Sequence, residues 1–248
     1  MSSERDDGVL VRPYRPTDRD AVRDICCRTA CRNLGCEEFF SDRELFADYF
    51  TRYYTDFEPE SALVAEMNGR TVAYLTGARD SRRFLRYMSF RIMPALLGRL
   101  AWRWLLGRYR RSRDRRFLRW LFLKSWREAV SVPLGRFPAH FHINLLAEAS
   151  NRSLHSRMAR AFVEQLERAG CTHLHALLLE PRDGSVYQRL VAGYERQRPG
   201  WIQYFREKPT DVRRDVLGDP EPMVNRAYGF ALADYSGFLE WLARRYGL

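Results

Sequence analysis

Four of the five histidines in the chain fall into two alternating pairs, His140-Phe141-His142 and His173-Leu174-His175. Side chains on a strand alternate between faces, so each pair turns both rings to one side, and Asn144 extends the first row. A neutral imidazole takes up a proton near neutral pH, whereas an amide cannot act as a base. His142 or His140 is therefore a candidate base, with satisfied core packing as the competing role. The same row leads into a second feature, "HINLLAEASNRSLHSRMARAF", residues 142–162. It reads as a strand (142–146), a polar loop (147–153) and a helix. A strand that opens through a loop onto a helix N-terminus is suited to holding a phosphate. Such loops lean on glycine for close backbone approach, and this one has none. Ser153 and Ser156 keep their N–H groups and add hydroxyls, Arg152 and Arg157 add cations able to grip phosphate with two bonds, and His155 crowds the path. A working cradle, a rebuilt one and a relic all fit these residues.

The positioning elements follow from patterning. "VLVRPYR" alternates as a first strand, and a helix follows with Thr17 or Asp18 as its cap. "SDRELFADYFTRYYTDF" reads as a second helix with Ser41 as cap and Glu44 three residues on. "SALVAEMNGRTVAYLTGARD" is a hairpin turning at Asn68-Gly69. After residue 136 the order is strand, helix, strand, then a short helix running into a turn at Gly193, then another strand. Four of five cysteines crowd into "CCRTACRNLGC"; without a CxxC pair or a nearby histidine they read as small residues on a buried helix face.

Of the 42 Lys and Arg residues, 40 are arginine, and there are 31 acids. Residues 79–127 hold 16 cations and two acids, a net of +14, so the remainder holds 26 cations and 29 acids, a net of −3. This insert (80–136) mixes arginines with Trp102, Trp104, Trp120 and Trp126, and Pro94 and Gly107 should break it into short helices. It reads as a helical cap over a cleft, as a surface for an acidic lipid or acyl carrier protein, or, with less support, as a nucleic-acid surface. The opening "MSSERDDG" is polar and acidic, unlike a secretory leader. A cytoplasmic chain, with membrane periphery left open by the insert, is the expectation.

The order strand–helix–helix–hairpin, then strand–loop–helix–strand–helix–strand, resembles the GNAT superfamily of N-acyltransferases. "FPAHFHINLLAE", "MARAFVEQLERAGCTHLHALLL" and "VYQRLVAGYE" are similar to a subgroup with a "YPAHLHI" strand, a glycine loop and a later "FYxxxGF". The resemblance is best over 137–195, fair over 9–79, and absent over the insert and the last forty residues. It implies one α/β domain (1–248) with a mixed, mostly antiparallel sheet, the basic insertion, and a C-terminal extension (207–248). It implies acetyl-CoA or another acyl-CoA as donor and an amine as acceptor. Leu145, Leu146 and Ala147 would meet the pantetheine arm, and Asn151, Arg152, Ser153, Leu154, His155 and Ser156 the pyrophosphate, with Arg157 adjoining. Tyr187 stands at the family's general-acid position. Asn144 replaces a common carboxylate, which leaves His142 or His140 as base. The two histidine-bearing strands part in this fold, so no metal is expected. An acyltransferase acting on a carrier-bound or membrane-associated substrate, and a non-catalytic binding module that kept the fold, stay open beside the plain acyl-CoA enzyme.

Overall fold

The computed structural model describes residues 8–149 and 152–247, without the side chains of Arg32 and Arg152. Seven strands form one sheet in the order β1-β2-β3-β4-β5-β7-β6. β1 (Val9–Pro13), β2 (Ala62–Met67), β3 (Arg70–Ala78) and β4 (Ala139–Leu145) pair antiparallel in succession. β5 (His173–Pro181) runs parallel to β4, and β7 (Met223–Ala231) and β6 (Ile202–Thr210) complete the sheet antiparallel. The mixed, mostly antiparallel α/β sheet expected from the sequence is the one adopted. The β2–β3 hairpin turns at Asn68 and Gly69, both at positive φ (51° and 73°), as such a turn requires.

Alternation along the strands divides the core into two layers. α1 (Arg19–Asn33) and α2 (Arg43–Asp56) cover one face, where Val22, Ile25 and Cys26 pack on Val64, Tyr74 and Leu146. α7 (Arg152–Arg168), α8 (Val186–Glu195) and α10 (Leu232–Tyr246) cover the other, where Phe162, Tyr194 and Phe238 join Ala73, Leu75 and Phe230. Gly77 of β3 lets α7 lie close: a Cβ there would fall 2.1 Å from the Phe162 ring. Residues 207–248 supply the end of β6, α9 (Val212–Leu217), the interior strand β7 and α10.

The insert is helical. α3 (Ser81–Tyr87), a π-turn segment (Met88–Ile92) and α4 (Met93–Leu105) run on without a break. Pro94 therefore does not end a helix; the wide π turn just before it absorbs the hydrogen bond that proline has no N–H to make. Gly107, at φ 67°, does end one. α5 (Ser112–Leu123) and α6 (Ser125–Glu128) follow. Met88, Ile92, Leu96, Tyr109 and Leu118 share a core with Phe40, Leu45 and Tyr54, so the insert is packed onto α2.

Three local expectations are corrected. Ser41 does not cap α2: Asp42 does, accepting from the Leu45 N–H, while Ser41 bonds Asp114 of the insert through both its N–H and its hydroxyl. Neither Thr17 nor Asp18 caps α1 through its side chain; Asp18 instead binds the Arg12 guanidinium at 2.7 Å. Gly193 lies within α8 rather than in a turn, where a Cβ would stand 2.9 Å from the Trp241 ring. Cys26 and Cys27 are buried on α1, as small residues on a helix face would be, whereas Cys36 is buried in a 3-10 turn beyond the helix and Cys31 is half-buried. Among the described residues, no three potential metal ligands cluster and no helix is long and apolar enough to cross a membrane.

Candidate functional site

The sheet is continuous except between its two parallel strands. β4 and β5 pair only through Ala139–Leu174 and His140–His175. Beyond that point β4 runs on to Leu145 and β5 to Pro181 with no ladder between them. The facing edges over 141–145 and 176–181 therefore carry backbone groups without a strand partner, and such an edge accepts an extended, amide-bearing chain. The N-termini of α7 and α8 follow these two strand ends.

His140, His142 and Asn144 turn to the α1/α2 side of the gap, and their surroundings give each a different role. His140 is fully engaged. Ser81 Oγ donates to the Pro138 carbonyl at 2.6 Å and lies 2.6 Å from His140 Nδ1. The hydroxyl has one proton, which goes to the carbonyl, so Nδ1–H donates to Ser81. Nε2 must then accept from the Tyr54 hydroxyl at 2.8 Å. Burial, then the neighbouring His175 and His142, push His140 down to about 3. It is a neutral, satisfied core histidine. His175 is buried 5.4 Å from the His140 ring, and its Nδ1–H donates to the Phe137 carbonyl at 2.9 Å. Asn144 donates Nδ2–H to the buried Tyr74 hydroxyl.

His142 differs from both. It is solvent-exposed, and no hydrogen bond or ion pair engages it among the described residues. The protein packed around the gap still lowers its imidazole below the usual 6.5. The ring is thus neutral at pH 7, open and without a competing partner. Leu177 and Leu179 on β5 share its face by alternation and are 54% and 47% exposed. Thr76, opposite His142 on β3, has a buried hydroxyl with no hydrogen-bond partner among the described residues.

The loop residues are distributed as follows. Leu145 leans half-buried into the α7-side core. Leu146 is buried on the α1 side, with its N–H on the Val72 carbonyl at 2.9 Å. Ala147 is exposed and opens a 3-10 turn (Ala147–Ala149). Asn151, like Ser150, lies outside the described residues. Arg152 begins α7, whose first-turn N–H groups have no acceptors within the helix. Ser153 is half-buried and His155 exposed, while Leu154 and Ser156 point into the core. Arg157 is engaged elsewhere: its Nη2 donates to the Val9 carbonyl at 2.7 Å. Two cations that sequence patterning missed, Arg28 and Arg70, line a hollow on the α1 side reaching Leu146, but Asp18, Asp24 and Glu66 line it too and Arg28 pairs with Asp24 and Glu148. The two arginines lie far apart in the chain and carry no local motif.

Tyr187 sits in the first turn of α8, its ring against Tyr228 at 5.4 Å and Phe238 at 6.3 Å. Its hydroxyl is buried with no hydrogen-bond partner among the described residues. Burial, then Tyr235, Tyr228 and Glu180, raise it well above 10. The hydroxyl therefore stays protonated. Its helix start is held by a buried network that patterning missed. Ser185 caps α8 and donates to Glu180, whose other oxygen accepts from Arg226 at 3.3 Å. The signal was a lone arginine in the apolar strand "MVNRAYGFA". His142 and Tyr187 lie on opposite faces of the sheet, and the β4–β5 gap connects those faces.

No family model matches the sequence, and no curated protein matches it. Solved structures do. SsHAT is 27% identical, with a TM-score of 0.60 over 91% of this chain and 98% of that one. An N-acetyltransferase from Staphylococcus aureus Mu50 matches at 12% identity and TM-score 0.46, over 90% of this chain and 98% of that one. The Drosophila melanogaster polyamine N-acetyltransferase matches at 14% and 0.47, over 90% and 99%. With its strand order, its parted parallel pair and the loop-to-helix step after β4, this chain has the GNAT N-acetyltransferase fold.

Proposed function

We propose that the protein is an acyl-CoA-dependent N-acyltransferase, with the donor reaching the β4–β5 gap from the α7/α8 side and an amine reaching it from the α1/α2 side. The observation that carries this reading is the gap itself, with an unengaged neutral imidazole on one face and an orphaned hydroxyl on the other. The donor fits these residues. The free edges of β4 and β5 match a chain that carries amides, and the buried Tyr187 hydroxyl lacks the polar partner that a ligand atom supplies. The first-turn N–H groups of α7 suit its phosphates. A bound acyl thioester supplies the activated acyl group. His142 takes the proton from the attacking nitrogen, which becomes strongly acidic as its new C–N bond forms. Tyr187 holds its hydrogen toward the leaving sulfur. Asn144, bonded to Tyr74, fixes the wall beside His142. Leu177 and Leu179 favour an acceptor with an apolar body next to its amine.

The glycine-free loop and the engagement of Arg157 by Val9 favour a second reading, a binding module that no longer takes the donor. Donor-induced stabilisation separates the two. A ligand that binds only the native state at 100 times its dissociation constant adds about 2.7 kcal/mol. Melting curves with CoA, acetyl-CoA and longer acyl-CoAs should rise by several degrees for at least one of them. A melting temperature unmoved across the series overturns the acyltransferase.

A further inference from the structure

The insert's cations are of two kinds. Arg99 and Arg103 point inward from α4 and pair with Asp48, Asp42 and Glu44 of α2. Arg113 pairs with Glu38, and Lys124 with Asp215 at 2.6 Å. These ion pairs bind the insert to the body. Arg108, Arg110, Arg111, Arg115, Arg116 and Arg119 are exposed instead, and no carboxylate among the described residues lies within ion-pair distance of them. The concentrated charge seen in the sequence is thus neutralised on the inner side and retained on the outer.

The outer side is also apolar. Leu97, Leu100, Trp104 and Leu105 of α4 form a groove with Phe122 of α5. Leu105 and Phe90 are each 78% exposed, and Trp102 and Leu106 each 63%. On α5, Arg115, Arg119 and Phe122 follow at i, i+4 and i+7, one stripe of a helix, so the charge and the apolar surface lie together. Soluble proteins rarely leave such a surface uncovered.

We infer that this face of α4 and α5 docks on an anionic lipid surface, with Trp104, Leu105 and Leu106 entering the interface and the arginines meeting lipid phosphates. Arginine stems reach across an apolar boundary while the heads bind anions, and a helix with these two components lies in the plane of the interface. A second copy of the chain is disfavoured as occupant, because it would bring the same unpaired arginines face to face. Nucleic acid would meet the arginines and leave the exposed leucines uncovered. The inference does not depend on the acyltransferase reading.

Cosedimentation of the full chain with vesicles tests it, using phosphatidylcholine alone and phosphatidylcholine with phosphatidylglycerol, at low and high salt. The chain should pellet with the anionic vesicles, weakly with the neutral ones, and less in high salt. Arg115→Gln with Arg119→Gln should weaken binding about fivefold for each arginine removed. Leu105→Gln with Leu106→Gln should weaken it at least as much, and all four positions are exposed, so melting curves should not move. No anionic-vesicle binding at low salt, or binding unchanged in both variants, overturns the inference. So does tighter binding to an acyl carrier protein or to nucleic acid, or self-association through this face in sedimentation velocity.

Discussion

Replacing His142 with glutamine should lower turnover by about 10²- to 10⁴-fold, the range for one general base. Glutamine keeps a polar side chain of similar reach but cannot accept the proton of an attacking amine. The residue is exposed, and no hydrogen bond or ion pair engages it among the described residues, so folding and donor affinity should be retained. The sign of the pH effect follows from its environment. The protein packed around the gap lowers the imidazole below 6.5, and the neutral ring is the active form. Activity should therefore rise with pH through an apparent value below 6.5 and be level at neutral pH, and the variant should lose that acid limb. The same limb persisting in His142→Gln would assign it to another group. His140 is a poor substitute, since both its nitrogens are bonded to Ser81 and Tyr54.

Tyr187→Phe should move activity and stability in opposite directions. Turnover should fall on the order of 100-fold, as for loss of one positioned acid, with the donor bound as before. The native state should become more stable, by roughly 1 kcal/mol or more. The reason is the buried hydroxyl with no partner among the described residues, since a buried unsatisfied group of this kind costs about 1–3 kcal/mol. The phenylalanine ring keeps the contacts with Tyr228 and Phe238. A less stable variant with normal turnover would make Tyr187 a packing residue alone. Kinetics and thermal melting on the same preparation distinguish the outcomes.

The parts of the fold that were legible in the sequence are those whose determinants are local. Asn68-Gly69 between two apolar runs names its own hairpin, and the His140–Asn144 alternation gives the strand and its faces. What was not legible depends on residues far apart in the chain. Ser41 has the type and spacing of a cap, but Asp114, 73 positions away, claims it and leaves the cap to Asp42. That Arg157 Nη2 meets the Val9 carbonyl is set only once β1 is folded beside α7. Gly193 reads as a turn until Trp241 arrives to pack on it. The insert's charge could be counted, but which arginines are neutralised depends on the acids of α2. Within the site, alternation placed His140 and His142 together, and only their neighbours separate the satisfied ring from the open one.

The most direct measurement is product detection by mass spectrometry after incubating the protein with acetyl-CoA, longer acyl-CoAs and a panel of amines that carry apolar bodies. The account predicts an N-acylated amine formed in equal amount with free CoA, and loss of that product in His142→Gln although CoA still raises the melting temperature. A protein that binds CoA yet yields no acylated amine from any donor, or yields it undiminished without His142, would contradict it.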